Sequence, residues 1–90
     1  MDVKKGNNEF YVEDQQGTKA AQIVYFEQKD GEIVIEHTEV AEDLRGQSIG
    51  YQLVEHVVEK ARAENKKIIS QCSYAEKQLK DNEEFHDVLA

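Results

Sequence analysis

The sequence predicts an α+β domain in which a mixed β-sheet packs against one long helix and one short helix. Three observations support this prediction. The first forty residues contain three apolar, alternating runs separated by turn residues. Residues 49–61 repeat apolar side chains at helical spacing, and a short apolar run follows at Ile68 and Ile69. Strands followed by a helix and then by a further strand are typical of a sheet with a crossover connection.

The N-terminal half predicts an antiparallel meander of three strands. Residues 9–13 alternate between apolar and polar side chains, and residues 18–27 are rich in Val, Ile, Tyr and Phe. Asp30-Gly31 then separates this second run from a third at residues 32–40, and Asp-Gly between two such runs is a strong hairpin signal. Strict alternation predicts two faces for the third strand: Ile33, Ile35, His37 and Glu39 on one, and Val34, Glu36, Thr38 and Val40 on the other.

The C-terminal half predicts a helix, a strand and a short helix. The helix begins near Ile49, and Asn65 is a suitable terminator for it. A crossover places residues 67–71 as a fourth strand, parallel to the third. Ser73 is then predicted to cap a short helix over residues 75–79, and three further apolar residues offer a final anchor: Phe85, Val88 and Leu89.

Length and composition limit the possible functions. Residues 1–90 predict a single minimal domain. The chain has 11 basic and 19 acidic residues, so its net charge of −8 argues against nucleic acid as a partner and favours a cationic one. The N-terminus lacks the apolar run of a signal peptide, and no run is long enough to span a membrane. A single cysteine fits a reducing compartment, and we expect the cytoplasm.

The stretch between the third strand and the long helix is the most informative motif. An acidic turn leads into a glycine-flanked corner, and the helix starts directly after it. The start of a helix carries unpaired backbone N–H groups and the positive end of the helix dipole, so anions such as phosphates bind there. An ordinary tight turn is the alternative for this corner, which consists of Arg45, Gly46, Gln47, Ser48, Ile49 and Gly50.

Three segments together resemble the GNAT superfamily of acetyl-coenzyme A-dependent N-acetyltransferases. They are His37 to Val40, the corner at residues 45–50, and Cys72-Ser73-Tyr74. The chain is more specifically similar to the minimal one-domain subgroup, which lacks the first helices of the full fold. The superfamily corner reads Gln or Arg, two residues, Gly, one residue, then Gly or Ala. Ser48 stands at the middle glycine, and its hydroxyl is predicted to contact a phosphate or to cap the helix.

The resemblance implies a binding mode for the coenzyme. Its pyrophosphate would lie on the backbone N–H groups of residues 47–50, with a charge-assisted contact from Arg45. Its pantetheine arm would run along the exposed edge of the third strand, as an added strand would, at Thr38, Glu39 and Val40. Residues 67–72 would form the other side of the opening.

The resemblance also suggests the catalytic groups, with several alternatives open. An amine would attack the thioester near His37, Cys72 and Tyr74, and a strand N–H would stabilise the oxyanion. His37 is a candidate for the base, because histidine exchanges protons readily near neutral pH, and the carboxylates of Glu32 and Glu36 are alternatives. Tyr74 or Cys72 would protonate the departing thiolate, or Cys72 would itself be acetylated. We expect no metal, because His56 and His86 have no partners at ligand spacing.

These inferences predict an N-acetyltransferase that uses acetyl-coenzyme A and a primary amine of a small molecule, peptide or protein lysine. We expect a monomer or weak homodimer that binds neither nucleic acid nor membrane. One alternative is an acyl-coenzyme A-binding or protein-interaction module with this fold and little catalysis. Another is a structural domain that binds no coenzyme.

Overall fold

A computed structural model of the protein describes residues 2–90, so Met1, the first residue of the predicted domain, lies outside the described part. These residues form five strands, two α-helices and two short 3₁₀ segments. The strands are β1 (Lys4–Gly6), β2 (Glu9–Glu13), β3 (Lys19–Gln28), β4 (Glu32–Val40) and β5 (Lys67–Ser70). The helices are α1 (Ile49–Glu64) and α2 (Ser73–Asp81), and the 3₁₀ segments are Glu42–Leu44 and Glu83–Val88.

The strands form one mixed sheet in the order β1-β2-β3-β4-β5, which confirms the predicted α+β class. Strands β1 to β4 are antiparallel neighbours, and β5 pairs in parallel with β4, as the crossover predicted. The prediction of a three-stranded meander missed β1. This strand is Lys-Lys-Gly, without an apolar pattern, and such short charged strands are typical of sheet edges.

Helix α1 lies against the sheet through a continuous apolar stripe. Its side chains at Leu53, Val54, Val57 and Val58 are fully buried, because apolar residues repeat on the face toward the sheet. Asn65 ends the helix in a left-handed conformation, with its N–H directed to the carbonyls of Ala61 and Arg62, as predicted. No helix within residues 2–90 is long and apolar enough to cross a membrane.

A β-bulge in β4 overturns the predicted faces of this strand. Val24 of β3 pairs with His37, but the next residue, Tyr25, pairs with Ile35, so Glu36 is an extra residue in β4. An extra residue reverses the alternation beyond it. Ile33 and Ile35 are buried, whereas His37 and Glu39 are exposed, so the predicted common face of these four residues is wrong.

The C-terminal segment closes the end of the core. Helix α2 begins at Ser73 with Cys72 as its N-cap, so the prediction that Ser73 caps it is wrong by one residue. Phe85 and Val88 are buried, and Leu89 forms a parallel bridge with Ile68, which confirms the predicted anchor. Phe85 also stacks on Tyr51 of α1 with ring centroids 5.2 Å apart.

An ion-pair cluster at the end of α1 makes folding stability depend on pH. Lys60 and Lys66 flank the carboxylate of Glu64 at N–O distances of 2.5 Å and 2.8 Å. Hydrogen bonding to Lys60, and then to Lys66, lowers the pKa of Glu64 from 4.5 to about 2. Because this pKa is lowered in the folded state, the stabilisation is complete above pH 4.5 and is lost as the pH falls toward 2.

We therefore expect Glu64→Gln to make the free energy of unfolding less dependent on pH in this range. At neutral pH it should cost less than ~1 kcal/mol, because the carboxylate is 35% exposed and solvent screens the pair. Urea unfolding at neutral pH and at about pH 3 measures both effects. Glu83→Gln is the control, since Glu83 makes no ion pair within residues 2–90. An unchanged pH dependence in Glu64→Gln would contradict the assignment.

Candidate active site

A cavity of about 670 Å³ opens between the end of β4, the corner at residues 45–50 and helix α2. Most of the predicted binding residues meet here, although they come from two separate segments, the end of β4 and the corner. The lining residues are Thr38, Val40, Leu44, Arg45, Gly46, Ser48, Ile49, Gly50, Tyr51, Tyr74 and Gln78.

The cavity exists because β4 and β5 separate. They pair only from Glu32–Lys67 to Ile35–Ser70, and the N–H of Gln71 makes a last bond to the Ile35 carbonyl at 2.8 Å. Strand β4 stays paired with β3 as far as Val40, so its other edge is left without a strand partner beyond Ile35. Unpaired strand edges accept extended ligands through backbone hydrogen bonds.

The corner presents free backbone donors. The N–H groups of residues 46–51 make no hydrogen bond of normal geometry within the described part of the chain. Gly46 has φ of +85°, which allows the chain to turn sharply. Arg45 donates from Nε to the Val40 carbonyl at 3.4 Å and lies beside the same opening. Gln47 is exposed and is the one corner residue that does not line the cavity.

Ser48 adopts a left-handed conformation with φ of +61° and ψ of 22°. Its side chain makes no capping hydrogen bond, so the prediction that its hydroxyl caps α1 is wrong. An N-cap hydroxyl reaches the first turn from an extended backbone, which Ser48 does not have. The conformation is the one that glycine adopts without strain, in keeping with the glycine expected at this position.

We expect Ser48→Gly to raise the free energy of unfolding by about 0.5–1 kcal/mol. The left-handed conformation costs a non-glycine residue about 1–3 kcal/mol, and the greater freedom of glycine in the unfolded chain offsets part of the gain. Urea unfolding measures the change. Ser48→Ala is the matched control and should change stability by less than ~0.5 kcal/mol, because the hydroxyl makes no cap. A stabilising Ala together with a destabilising Gly would contradict this account.

Tyr74 covers the corner. A methyl group at Gly50 would overlap the Tyr74 hydroxyl and would lie 2.6 Å from Cζ of the same ring. Gln78, one turn later in α2, donates from Nε2 to that hydroxyl at 3.2 Å. The missing side chain at Gly50 therefore makes room for Tyr74, which is itself 42% exposed. The Tyr74 hydroxyl therefore lies against the corner.

Cys72 lies beside Thr38, which lines the cavity, but is not itself a lining residue. Its Sγ is 3.7 Å from Oγ1 of Thr38, and its backbone exchanges two hydrogen bonds with the Ser70 hydroxyl. Burial raises the pKa of the Cys72 thiol, but hydrogen bonding from the N–H of Ala75 and from Thr38 outweighs burial, so the pKa is lowered. A lowered pKa favours the reactive thiolate.

His37 and Glu39 lie on the other side of β4. His37 Nε2 is 3.3 Å from Oε1 of Glu39, and half of the His37 side chain is exposed. Glu39 lines a second cavity of about 490 Å³, together with Lys19, Gln22 and Arg45. Of the predicted site residues, His37, Glu39, Gln47 and Cys72 thus do not line the first cavity, while Thr38, Val40 and Arg45 line both cavities.

Three lining residues, Leu44, Tyr51 and Gln78, were not predicted from the sequence. Tyr51 is held by stacking on Phe85 and by a hydrogen bond from its hydroxyl to Glu84 at 2.7 Å. This hydrogen bond is the main cause that raises the pKa of Tyr51 to about 12. Gln78 was detectable, because it lies one helical turn from Tyr74. No cluster of three or more potential metal ligands occurs within residues 2–90.

Comparison with known proteins identifies the family. The family model described as GCN5-related N-acetyl-transferase matches residues 9–88. The chain belongs to the GCN5-related N-acetyltransferase (GNAT) family. A GCN5-like protein from Staphylococcus aureus, known from its solution structure, shares this GNAT fold. Its identity is 39% and its TM-score 0.84, and the match covers 99% of this chain and 87% of that one.

Other solved structures share the fold at lower identity. An IAA acetyltransferase from Bacillus cereus is 23% identical, with a TM-score of 0.63, over 81% of this chain and 51% of its own. A ribosomal-protein-alanine N-acetyltransferase from Brucella melitensis is 18% identical, with a TM-score of 0.61, over 91% of this chain and 59% of its own. None of the curated proteins compared with the chain is significantly similar in sequence.

Proposed function

We propose that this GNAT protein transfers an acetyl group from acetyl-coenzyme A to a primary amine. The observation that carries the proposal is that one cavity joins the free N–H groups at the start of α1 to the unpaired edge of β4. Cys72, with a lowered thiol pKa, lies beside Thr38 of that edge. We further propose that residues 1–90 act as one minimal domain.

The residues around the cavity fit coenzyme A. The free N–H groups of residues 46–51 and the positive end of the α1 dipole suit a pyrophosphate, with Arg45 adding a positive charge at the rim. The backbone edge at Thr38, Glu39 and Val40 suits the amide-bearing pantetheine arm. When bound, acetyl-coenzyme A supplies an activated thioester.

Proton removal from the acceptor is assigned to the outer side of β4. An amine reacts only in its neutral form, so a base must take a proton from the ammonium ion. His37 is accessible there, with its Nε2 beside Oε1 of Glu39, and we assign it the role of base. Glu36, at the bulge, and Glu32 are the alternative bases. The neutral amine then forms a bond to the acetyl carbon, and a β4 N–H stabilises the oxyanion.

Cys72 has two possible tasks. In direct transfer, the carbon–sulfur bond of the thioester breaks, and the leaving sulfur keeps the electron pair and takes the thiol proton of Cys72. The Cys72 thiolate is then reprotonated by water. In covalent transfer, the Cys72 thiolate takes the acetyl group and the amine then removes it, which restores the thiolate. Tyr74 is the alternative proton donor, but its position against Gly50 favours Cys72.

Binding and turnover test this proposal separately. Calorimetric titration with acetyl-coenzyme A should show binding, and a panel of amines should release free coenzyme A thiol. No heat at millimolar acetyl-coenzyme A would contradict the proposal. Binding without turnover would favour the second candidate, an acyl-coenzyme A-binding or interaction module. The left-handed backbone of Ser48 at the corner supports this alternative.

We also propose a class of acceptor, a cellular location and an oligomeric state. The net charge of −8 steers cationic molecules toward the protein, so we propose an amine on a protein or on a cationic small molecule. We propose a cytoplasmic monomer or weak homodimer. Amines on a cationic peptide and on a neutral small molecule separate the acceptor classes through their kcat/KM values.

A further inference from the structure

The bulge in β4 decides which side chain meets Cys72. With Glu36 as the extra residue, Thr38 turns toward the cavity and His37 turns away from it. Without the bulge, Thr38 would share the face opposite Ile33 and Ile35 and would not lie over α2. The contact of the Thr38 hydroxyl with Cys72 Sγ, at 3.7 Å, is therefore built by a backbone irregularity.

Within the described residues, Thr38 is the only residue whose side chain hydrogen-bonds to the sulfur of Cys72. The other donors that favour the thiolate are the N–H groups of Ala75, Tyr74 and Thr38. Tyr74 directs its hydroxyl to Gly50, and His37 lies on the other side of β4 beside Glu39, so neither of these titratable groups contacts the sulfur. The hydroxyl of Thr38 can accept from the thiol and can donate to the thiolate.

We propose that Thr38 is a positioning residue for Cys72: its hydroxyl holds the sulfur beside the β4 edge of the cavity and stabilises the thiolate. Its part in acetyl transfer rests on the proposed function, whereas its effect on the sulfur does not. A hydrogen bond to an ionised group is worth more than one to a neutral group, so the hydroxyl shifts the balance toward the thiolate. Within the described residues, the Cys72 thiolate is thus stabilised by a neutral hydroxyl and not by a charged side chain.

The single cysteine makes a direct test possible, because any thiol reagent reports on Cys72 alone. Alkylation by iodoacetamide is followed against pH in the free protein, without coenzyme or acceptor. We compare wild type with Thr38→Val, which keeps the shape and removes the hydroxyl, and with Thr38→Ser, which keeps the hydroxyl. Thr18→Val, at an exposed turn, is the matched control for the same chemical change.

Thr38→Val should be alkylated about three- to tenfold more slowly than wild type near neutral pH, because the thiolate fraction falls while the intrinsic nucleophilicity rises. At high pH, where every thiol is ionised, its rate should equal or exceed that of wild type. Thr38→Ser should restore most of the wild-type profile, and Thr18→Val should match wild type. A Val profile that superimposes on wild type, or a Ser profile like that of Val, would overturn the proposal.

Turnover distinguishes this inference from the proposed function. Thr38→Val should lower kcat for acetyl transfer with little change in KM for acetyl-coenzyme A, because the backbone edge of β4 is kept. If wild type neither binds nor uses acetyl-coenzyme A, the proposed function fails, yet the alkylation profiles still decide the effect of Thr38. If wild type is active and the profiles coincide, only the role of Thr38 is wrong.

Discussion

Cys72→Ala is expected to lower kcat for acetyl transfer about 100-fold or more, with the affinity for acetyl-coenzyme A nearly unchanged. Removing a positioned proton donor typically costs 10²–10⁴ in rate, and removing a nucleophile costs at least as much. The thiol lies beside Thr38 and is not among the residues that line the cavity with the corner proposed to hold the phosphates. Steady-state thiol-release kinetics and calorimetry measure the two quantities.

The same residue separates the two proposed routes. Wild type mixed with acetyl-coenzyme A in the absence of an acceptor, and examined by mass spectrometry, should gain one acetyl group on Cys72 only if transfer is covalent. Thermal unfolding of Cys72→Ala checks that the fold is retained, since the side chain is partly buried. Activity of folded Cys72→Ala within tenfold of wild type would exclude both tasks for the thiol and return the proton donation to Tyr74.

Gly50→Glu is expected to weaken coenzyme A binding about 100-fold or more, which corresponds to ~2.7 kcal/mol. Any side chain at Gly50 overlaps the Tyr74 ring and must displace it. The new carboxylate would also stand among the free N–H groups of the corner, where it would compete with and repel the pyrophosphate. Calorimetric titration with coenzyme A measures the loss.

Two controls keep this result interpretable. Gln28→Glu makes the same change of net charge at the exposed end of β3, near the turn to β4, and should leave the affinity within twofold of wild type. Gly50→Ala overlaps Tyr74 without adding a charge, and Tyr74→Ala in the same background relieves the overlap. Circular dichroism establishes folding of each variant. Wild-type affinity in folded Gly50→Glu would mean that the coenzyme does not bind at the corner.

Local patterns were sufficient to predict most of the fold. Apolar side chains repeat every two residues in residues 9–13 and about every 3.6 residues in α1, because one face of each element is buried. The Asp30-Gly31 turn separates two alternating strands. The structure confirms these elements and the parallel pairing of β5 with β4. Strand β1 was not predicted because its three residues have no apolar alternation. It lies at the edge of the sheet and is held there by pairing with β2.

The site was harder to predict because its geometry depends on one extra residue. Nothing in the polar run from Glu36 to Glu39 marks Glu36 as a bulge, since its position follows from the register with Val24 and Tyr25 of another strand. The bulge decides that Thr38, and not His37, lies beside Cys72. Likewise, the left-handed conformation of Ser48 follows from the turn that joins β4 to α1, and serine itself does not favour it.

A structure of the protein bound to acetyl-coenzyme A would test the proposed binding mode. Pyrophosphate oxygens should lie at hydrogen-bond distance, about 3 Å, from N–H groups of residues 46–51. The pantetheine arm should run along β4 at Thr38 to Val40, with the thioester between that edge and Cys72. A coenzyme bound elsewhere, or a corner left empty at saturating concentration, would contradict this binding mode.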